Sequence, residues 1–237
     1  MNPAKQGCAA AIFLCLALPC LVPAQQPAAS AIIHKVDAAV QARFDNVLGF
    51  TDIEHYAVYR GNGETHPIAE ITVRDTYKKG VGKTYTILSE SGSSIVRRFG
   101  LHPLLDNEKT INLPGNVEKS WFTSANYEMK LQSAALQPLN GRDCYVLAIK
   151  AKFKAPNTID GTLWVDSRDG SIVQMQGTAT KNPSAFAGTT HMMRNYMNID
   201  GYSMATHARA ESNSLLFGHT VVLIDYTDYN LQVQPAR

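Results

Sequence analysis

Residues 69–91, AEITVRDTYKKGVGKTYTILSES, decide between two folds, because they contain the string GVGKT that ends a phosphate-binding P-loop. A P-loop needs a glycine five positions before Gly82, where this chain has Tyr77, and a helix that begins at the Lys-Thr pair. After Lys83 the β-branched and aromatic residues alternate, which is typical of a strand. The stretch therefore predicts a β-hairpin and does not favour nucleotide binding.

The N-terminus predicts a secretory signal peptide. Lys5 precedes an apolar run over residues 9–22, and Val22-Pro23-Ala24 is a small-residue cleavage pattern. Residues 1–24 are thus predicted as signal peptide, 25–30 as a linker and 31–237 as a single domain. The apolar run is too short to span a bilayer, and no later segment approaches the roughly 20 apolar residues of a membrane helix. We expect a soluble, monomeric periplasmic protein with no transmembrane segment.

The charge balance and the cysteine content disfavour two further classes, nucleic-acid-binding proteins and disulfide-stabilised proteins. The chain has 22 Lys and Arg against 20 Asp and Glu, a balance that does not favour nucleic acid as a partner. Cys8, Cys15 and Cys20 would leave with the signal peptide, so Cys144 remains alone and no intramolecular disulfide can form. The basic residues near the first hairpins are interpreted as a solvated surface: Lys78, Lys79, Lys83, Arg97 and Arg98.

One amphipathic helix is predicted before the strands. Ile33, Val36, Val40, Phe44 and Val47 fall at helical spacing. Ser30 is the candidate N-cap and Gly49 the candidate C-cap.

From Tyr56 onward the apolar pattern has period two, and turn signals such as Asn140-Gly141 and Asp169-Gly170 separate its segments. Candidate strands cover residues 55–60, 69–77, 83–91, 93–100, 126–136, 143–153, 161–166, 171–180, 190–199, 202–212 and 220–231. About eleven strands with short connections indicate an antiparallel meander. Residues 101–123 break the period and contain two prolines, which predicts short helices or a flap.

The alternation gives this sheet one apolar face and one polar face. The candidate ligand-binding residues lie in the flap and on the apolar face: Trp121, Phe122, Tyr127, Met129, Leu131, Tyr145, Leu147, Ile149, Val222, Ile224 and Tyr226. One helix and a flap are little cover for so large a face, which favours an apolar groove or cavity. The pattern is equally compatible with a closed barrel that its own side chains fill.

No catalytic or metal-binding pattern stands out. Cys144 lies at a strand entrance without a family motif around it, so a half-buried structural cysteine is the preferred interpretation. His191, His207 and His219 have no metal-ligand spacing. We therefore expect no catalytic residues, no cofactor and no metal, hence not an enzyme.

The C-terminal half resembles a known family. The strings YVLAIKAK, GTLWVDSRDGSIVQMQG, GYSMATHARAES and LFGHTVVLIDYTDYN are similar to the LolA/LolB-like outer-membrane lipoprotein-sorting proteins, a superfamily that includes the lipid-sensing domain of RseB. The family pattern is a strand ending in Trp-Val-Asp, a Gly-containing turn, a return strand and a last strand ending in Tyr near an acidic residue. The residues that fit it are Trp164, Val165, Asp166, Gly170, Ile172, Tyr226 and Tyr229.

The resemblance implies an open, incomplete antiparallel β-barrel of about eleven strands, with helices as a lid over an apolar cavity. It also implies binding of acyl chains, of a lipid or an acylated lipoprotein, without catalysis. The expected function is a periplasmic carrier or sensor that cooperates with an inner- or outer-membrane partner protein. Two alternatives stay open: an envelope interaction or regulatory module that binds a segment of a partner protein, and a secreted hydrolase that uses Cys144.

Overall fold

The computed structural model describes residues 28–61, 63–155, 157–181, 187–214 and 218–235. The predicted signal peptide and the first half of the predicted linker lie outside these residues. The helices are α1 (Ala29–Asn46), α2 (Ser94–Val96) and α3 (His102–Ile111), with a π-helical turn at Arg97–Leu101 and a 3-10 turn at Val117–Ser120. The strands are β1 (Val47–Arg60), β2 (Ala69–Lys78), β3 (Gly82–Gly92), β4 (Tyr127–Leu139), β5 (Arg142–Ala151), β6 (Ile159–Asp166), β7 (Ile172–Ala179), β8 (Ala187–Ile199), β9 (Tyr202–Ser214) and β10 (Gly218–Val233).

The ten strands form one antiparallel sheet in the order β3-β2-β1-β10-β9-β8-β7-β6-β5-β4. The first strand pairs with the last, with Tyr56 opposite Ile224. The sheet ends at β3 and β4, which do not pair with each other. The predicted fold class, an open and incomplete antiparallel barrel with few helices, is confirmed, with ten strands in place of about eleven.

The strand predicted at residues 93–100 is wrong, because the chain is helical from Ser94 onward. Ser93 caps α2, since its Oγ accepts a hydrogen bond from the backbone N–H of Val96 at 3.4 Å. Val96, Leu101 and Leu105 are buried at roughly helical spacing across the successive turns. The apparent alternation of residues 93–100 is thus the start of a longer helical pattern of buried residues. The short helices predicted within residues 101–123 are observed.

Helix α1 is present, but it begins and ends at other residues than predicted. Ser30 lies inside the helix and Gly49 lies in β1, so the chain passes directly from helix to strand at Val47. Gly49 is needed for another reason: a Cβ at this position would lie 2.8 Å from the carbonyl oxygen of Tyr77 on the neighbouring strand. The buried helix residues are Ile32, Val36 and Val40.

Two apolar clusters cover the inner face of the sheet. The first packs α1 against β4–β7. Its fully buried members include Val36, Leu147, Leu163 and Val165. Each such side chain contributes about 1.5–3 kcal/mol by burial. The second packs the chain between β3 and β4 onto β1, β2, β9 and β10. We call residues 94–122 of that chain the covering segment, because it connects the two edge strands and covers part of the inner face.

Candidate ligand-binding cavity

A cavity of about 480 Å³ lies between α1, the covering segment and the sheet. Its volume falls within the roughly 300–1,000 Å³ of small-molecule sites. Residues of both apolar clusters border it, so the clusters do not merge into one closed core. The large apolar side chains that line it are Val40, Phe44, Val47, Phe50, Leu104, Ile111, Val117, Trp121, Phe122, Ile159, Ile172, Met175, Met192 and Met204.

One aromatic pair joins the helix to the covering segment at this cavity. The rings of Phe44 and Trp121 stack with centroids 4.0 Å apart and an interplanar angle of 18°. The indole Nε1 of Trp121 is buried without a hydrogen-bond partner among the described residues. Stacked pairs add about 0.5–1.5 kcal/mol beyond area burial. The Phe44–Trp121 contact therefore links the two parts that cover the sheet.

The structure brings three of the predicted ligand-binding residues to the cavity: Trp121, Phe122 and Tyr226. The other eight do not line it. Tyr127, Met129, Leu131, Tyr145, Leu147 and Ile149 pack in or against the first cluster, under α1. Val222 and Ile224 pack in or against the second cluster. The face that alternation identified as apolar is thus largely core, and the cavity lies where that core is interrupted.

A buried charged cluster borders the cavity, which its members Glu54, Lys83 and Glu108 line. Asp52 and Glu54 of β1 and Asp75 of β2 are all buried. The ammonium group of Lys83 lies 2.8 Å from Glu54 Oε1 and 2.6 Å from Asp75 Oδ2. It also lies 3.8 Å from Glu108 Oε2 of α3. Lys83 is therefore a buried counter-ion. The prediction that it belongs to a solvated basic surface is wrong.

Burial controls the protonation of this charged cluster. Desolvation, and next the charge of Glu54, raise the pKa of Asp52 to about 7. Desolvation opposes the charged form of Lys83, but the carboxylates of Glu54 and Glu108 outweigh it and raise the pKa of the amine. Lys83 is thus charged at neutral pH, while Asp52 is partly protonated.

The same carboxylates are the candidate metal ligands. One oxygen from each of Asp52, Glu54 and Asp75 can be chosen so that all three lie within 4.8 Å of one another. Lys83 already contacts two of these residues, so its ammonium group supplies the cation that the cluster requires. The geometry is better explained as a buried ion pair than as a metal site.

Two arginines line the cavity away from this cluster. Arg43 projects from α1, and its Nε donates to Met204 Sδ at 3.3 Å. Arg194 projects from β8, with its guanidinium carbon 6.0 Å from the ring centroid of Tyr226. Burial lowers the pKa of Arg43, and the nearby charge of Arg194 lowers it further. Both groups stay charged at neutral pH, because a guanidinium group is not deprotonated in proteins.

The residues considered for catalysis lie elsewhere. Cys144 is fully buried in β5, and desolvation raises the pKa of its thiol to about 11, so thiolate is scarce at neutral pH. His207 contacts Asp225 at 2.7 Å, whereas His191 contacts Thr178 at 3.1 Å. His219 contacts Asn213 and Glu211 instead. The three histidines thus have separate partners.

No protein-family model matches the chain, and no characterised protein matches it by sequence. Solved structures with a similar chain path include a LolA superfamily protein from Nitrosomonas europaea, at 15% identity and a TM-score of 0.47, covering 88% of this chain and 96% of that chain. A domain from Vibrio parahaemolyticus described as an outer membrane lipoprotein-sorting protein is 13% identical, with a TM-score of 0.46 and coverages of 84% and 91%. A MucA/MucB complex from Pseudomonas aeruginosa is 9% identical, with a TM-score of 0.25 and coverages of 83% and 93%.

The LolA-like resemblance that the sequence indicates is met again among these structures. At these identities and TM-scores, none of them assigns a function to this chain. In the part of the chain that the structure describes, no helix is long and apolar enough to cross a membrane.

Sequence reasoning missed the charged residues of the cavity, although a signal for some of them was present. Asp75 has the same parity as Ile71 and Val73, and Glu54 has the same parity as Tyr56 and Val58. A carboxylate on the apolar side of two adjacent strands indicates an internal polar site. Arg194 has the same parity as Met192 and Tyr196 of β8, which is a comparable signal. No such signal marks Arg43, because its location depends on how α1 crosses the sheet.

Proposed function

We propose that this protein is a non-enzymatic carrier or sensor of the bacterial envelope that holds the acyl chain of a lipid or lipoprotein in the cavity. The cavity itself is the observation that supports this most: an apolar, aromatic and methionine-lined space remains between two packed clusters. Methionine side chains adapt to irregular apolar ligands. Trp121, Phe122 and Tyr226 are the predicted contacts that we retain.

The energetics of chain burial are sufficient for such a role. Transfer of one CH₂ group from water contributes about 0.8 kcal/mol, so a C16 chain gains on the order of 10 kcal/mol before the costs of binding. Release of the chain then requires a movement of the cover or a partner. The stacked contact between Phe44 and Trp121 is the place where α1 and the covering segment would separate.

The direct test is to produce the full-length chain in a bacterial host with an intact envelope, then to combine native mass spectrometry with lipid extraction. We expect a stoichiometric acylated ligand, or uptake of one C16 fatty-acid probe per chain after delipidation. A ligand-free mass together with no uptake of the probe would refute chain binding.

A second candidate is an interaction module that binds a segment of a partner protein. Ile95 and Phe99, on the outer side of the covering segment, are 61% and 63% exposed. Neighbouring exposed apolar side chains of this size often mark an interaction site. Co-purification of an envelope protein that Phe99→Ser abolishes, with no bound lipid, would favour this function over chain binding.

A further inference from the structure

Arg43 and Arg194 line the cavity without an acidic partner. Among the described residues, neither guanidinium group lies within 4.0 Å of an Asp or Glu oxygen, whereas Lys83 in the same cavity contacts three carboxylates. A charge that is removed from water and left unpaired is costly. Such a group is retained readily when a ligand supplies the opposite charge.

The contacts that the two arginines do make are weak. Arg43 reaches a thioether sulfur at 3.3 Å, and its guanidinium carbon lies 4.9 Å from the ring centroid of Phe44. Arg194 lies over the ring of Tyr226, and its Nε is buried without a hydrogen-bond partner. Each guanidinium carries five N–H donors. Most of these donors therefore have no protein acceptor in the described structure.

The acidic groups that border the cavity do not satisfy these donors. Glu54 and Glu108 contact Lys83 at 2.8 and 3.8 Å. Asp169, also at the cavity, accepts a hydrogen bond from the backbone N–H of Ser171 within its own turn. The carboxylates of Glu54 and Glu108 act on Arg194 only at longer range. Among the described residues, these carboxylates therefore form no ion pair with Arg43 or Arg194.

We propose that Arg43 and Arg194 together bind the oxyanion head group, a carboxylate or a phosphate, of an amphiphile whose chain fills the apolar part of the cavity. The planar fork of arginine matches both anions and can donate two parallel hydrogen bonds. A few polar groups that orient a ligand within a mainly apolar site are the usual arrangement for small-molecule recognition. This inference rests on the proposed chain binding and adds the chemical class of the ligand.

The test compares three probes with the same C16 chain: hexadecanoate, hexadecyl phosphate and hexadecan-1-ol. Their dissociation constants are measured at pH 7.5 on the delipidated full chain, below the concentration at which each probe aggregates. We expect the two anions to bind about 10- to 100-fold more tightly than the alcohol, as for hydrogen bonds to a charged group. The tighter of the two anions identifies the preferred head group.

Variants assign the preference to the arginines. Arg43→Met and Arg194→Met keep much of each side chain's apolar stem, and the double variant should bind all three probes with the affinity of the alcohol. Arg98→Met is the matched control, because Arg98 is exposed beside the ring of Phe99 and does not line the cavity. Circular dichroism and retained binding of the alcohol show that a variant is folded. If one variant fails to fold, the preference of the wild type and the binding of the other variant still test the head-group site.

The outcomes separate this proposal from the proposed function. Binding of no probe, the alcohol included, would refute chain binding. Equal binding of anions and alcohol by the wild type, or an unchanged preference in both arginine variants, would refute the head-group site while chain binding stands. Competition by inorganic phosphate as strong as that by hexadecyl phosphate would indicate a free-anion site and would also overturn the proposal.

Discussion

Asp52 and Asp75 lie directly opposite each other on the neighbouring strands β1 and β2, and both side chains are buried. Like charges in this position destabilise a sheet unless a proton or a cation compensates them. Lys83 contacts Asp75 at 2.6 Å and Glu54 at 2.8 Å, which leaves Asp52 as the carboxylate that this amine does not contact. Desolvation, and next the charge of Glu54, raise the pKa of Asp52, while the carboxylates of Asp75 and Glu54 account for the burial of the lysine.

Asp52→Asn should increase stability at alkaline pH. The folded-state pKa of Asp52 is about 7, above its ordinary value of 3.8, so the folded state holds a proton that the unfolded state has lost. Its contribution therefore falls as pH rises between these values, by at most about 1.4 kcal/mol per pH unit. Urea unfolding at pH 5, 6, 7 and 8 should show the variant gaining on the wild type over this range. A stability difference that does not vary with pH would contradict the assignment.

Lys83→Met should destabilise the fold by about 3–5 kcal/mol at pH 7.5, because it leaves the carboxylates of Glu54 and Asp75 buried without a counter-ion. Urea unfolding measures the free energy of unfolding of each variant. Lys78→Met is the control: Lys78 is exposed at the end of β2, and its loss should change stability by no more than about 0.5 kcal/mol.

Trp121→Ala should weaken binding of a C16 probe about 10-fold, mainly by faster dissociation, because it removes the stack with Phe44 that joins α1 to the covering segment. Stopped-flow dissociation of a fluorescent fatty acid gives the rate directly. Trp164→Ala is the matched control, since Trp164 does not line the cavity and contacts Gln137 of β4. Equal effects of the two variants would mean that Trp121 does not retain the ligand.

Asp37→Ala should loosen α1 from the sheet. The carboxylate of Asp37 accepts hydrogen bonds from the backbone N–H of Ser124 at 2.7 Å and from its hydroxyl at 2.6 Å. Their loss should cost about 1–3 kcal/mol. Hydrogen exchange of the α1 amides should accelerate accordingly. Asp45→Ala, on the exposed end of the same helix, controls for the change in helix propensity, and equal exchange in both variants would contradict the anchor.

The sequence predicts the strands well because a half-buried antiparallel sheet leaves a period of two in nearly every strand. The exception, residues 93–100, is instructive: its helical period appears only when Leu101 and Leu105 are included. The strand order of the sheet was not predictable from local signals, because the pairing of β1 with β10 joins distant parts of the chain.

The cavity is harder to predict than the fold, for a geometric reason. The period-two pattern identifies both Leu147 and Tyr226 as inward-facing. Leu147 packs in the core under α1 whereas Tyr226 lines the cavity, and this difference depends on where α1 lies. Asp75 could have been found by its parity, because it shares a face with Val73. Arg43 could not, since an arginine one residue before Phe44 is equally compatible with an exposed helix position.

The position of β10 between β1 and β9 also sets the order in which this molecule can be completed. Strands β1–β3 can form early from local contacts, but among the described strands they pair with the other six only through β10, the last of the ten along the chain. Pairings between distant parts of a chain form slowly, since the intervening loop must close first. A polypeptide stopped before Gly218 would carry both halves of the barrel without the strand that holds them together. We therefore expect the cavity to appear late and all at once, on attachment of the C-terminal strand.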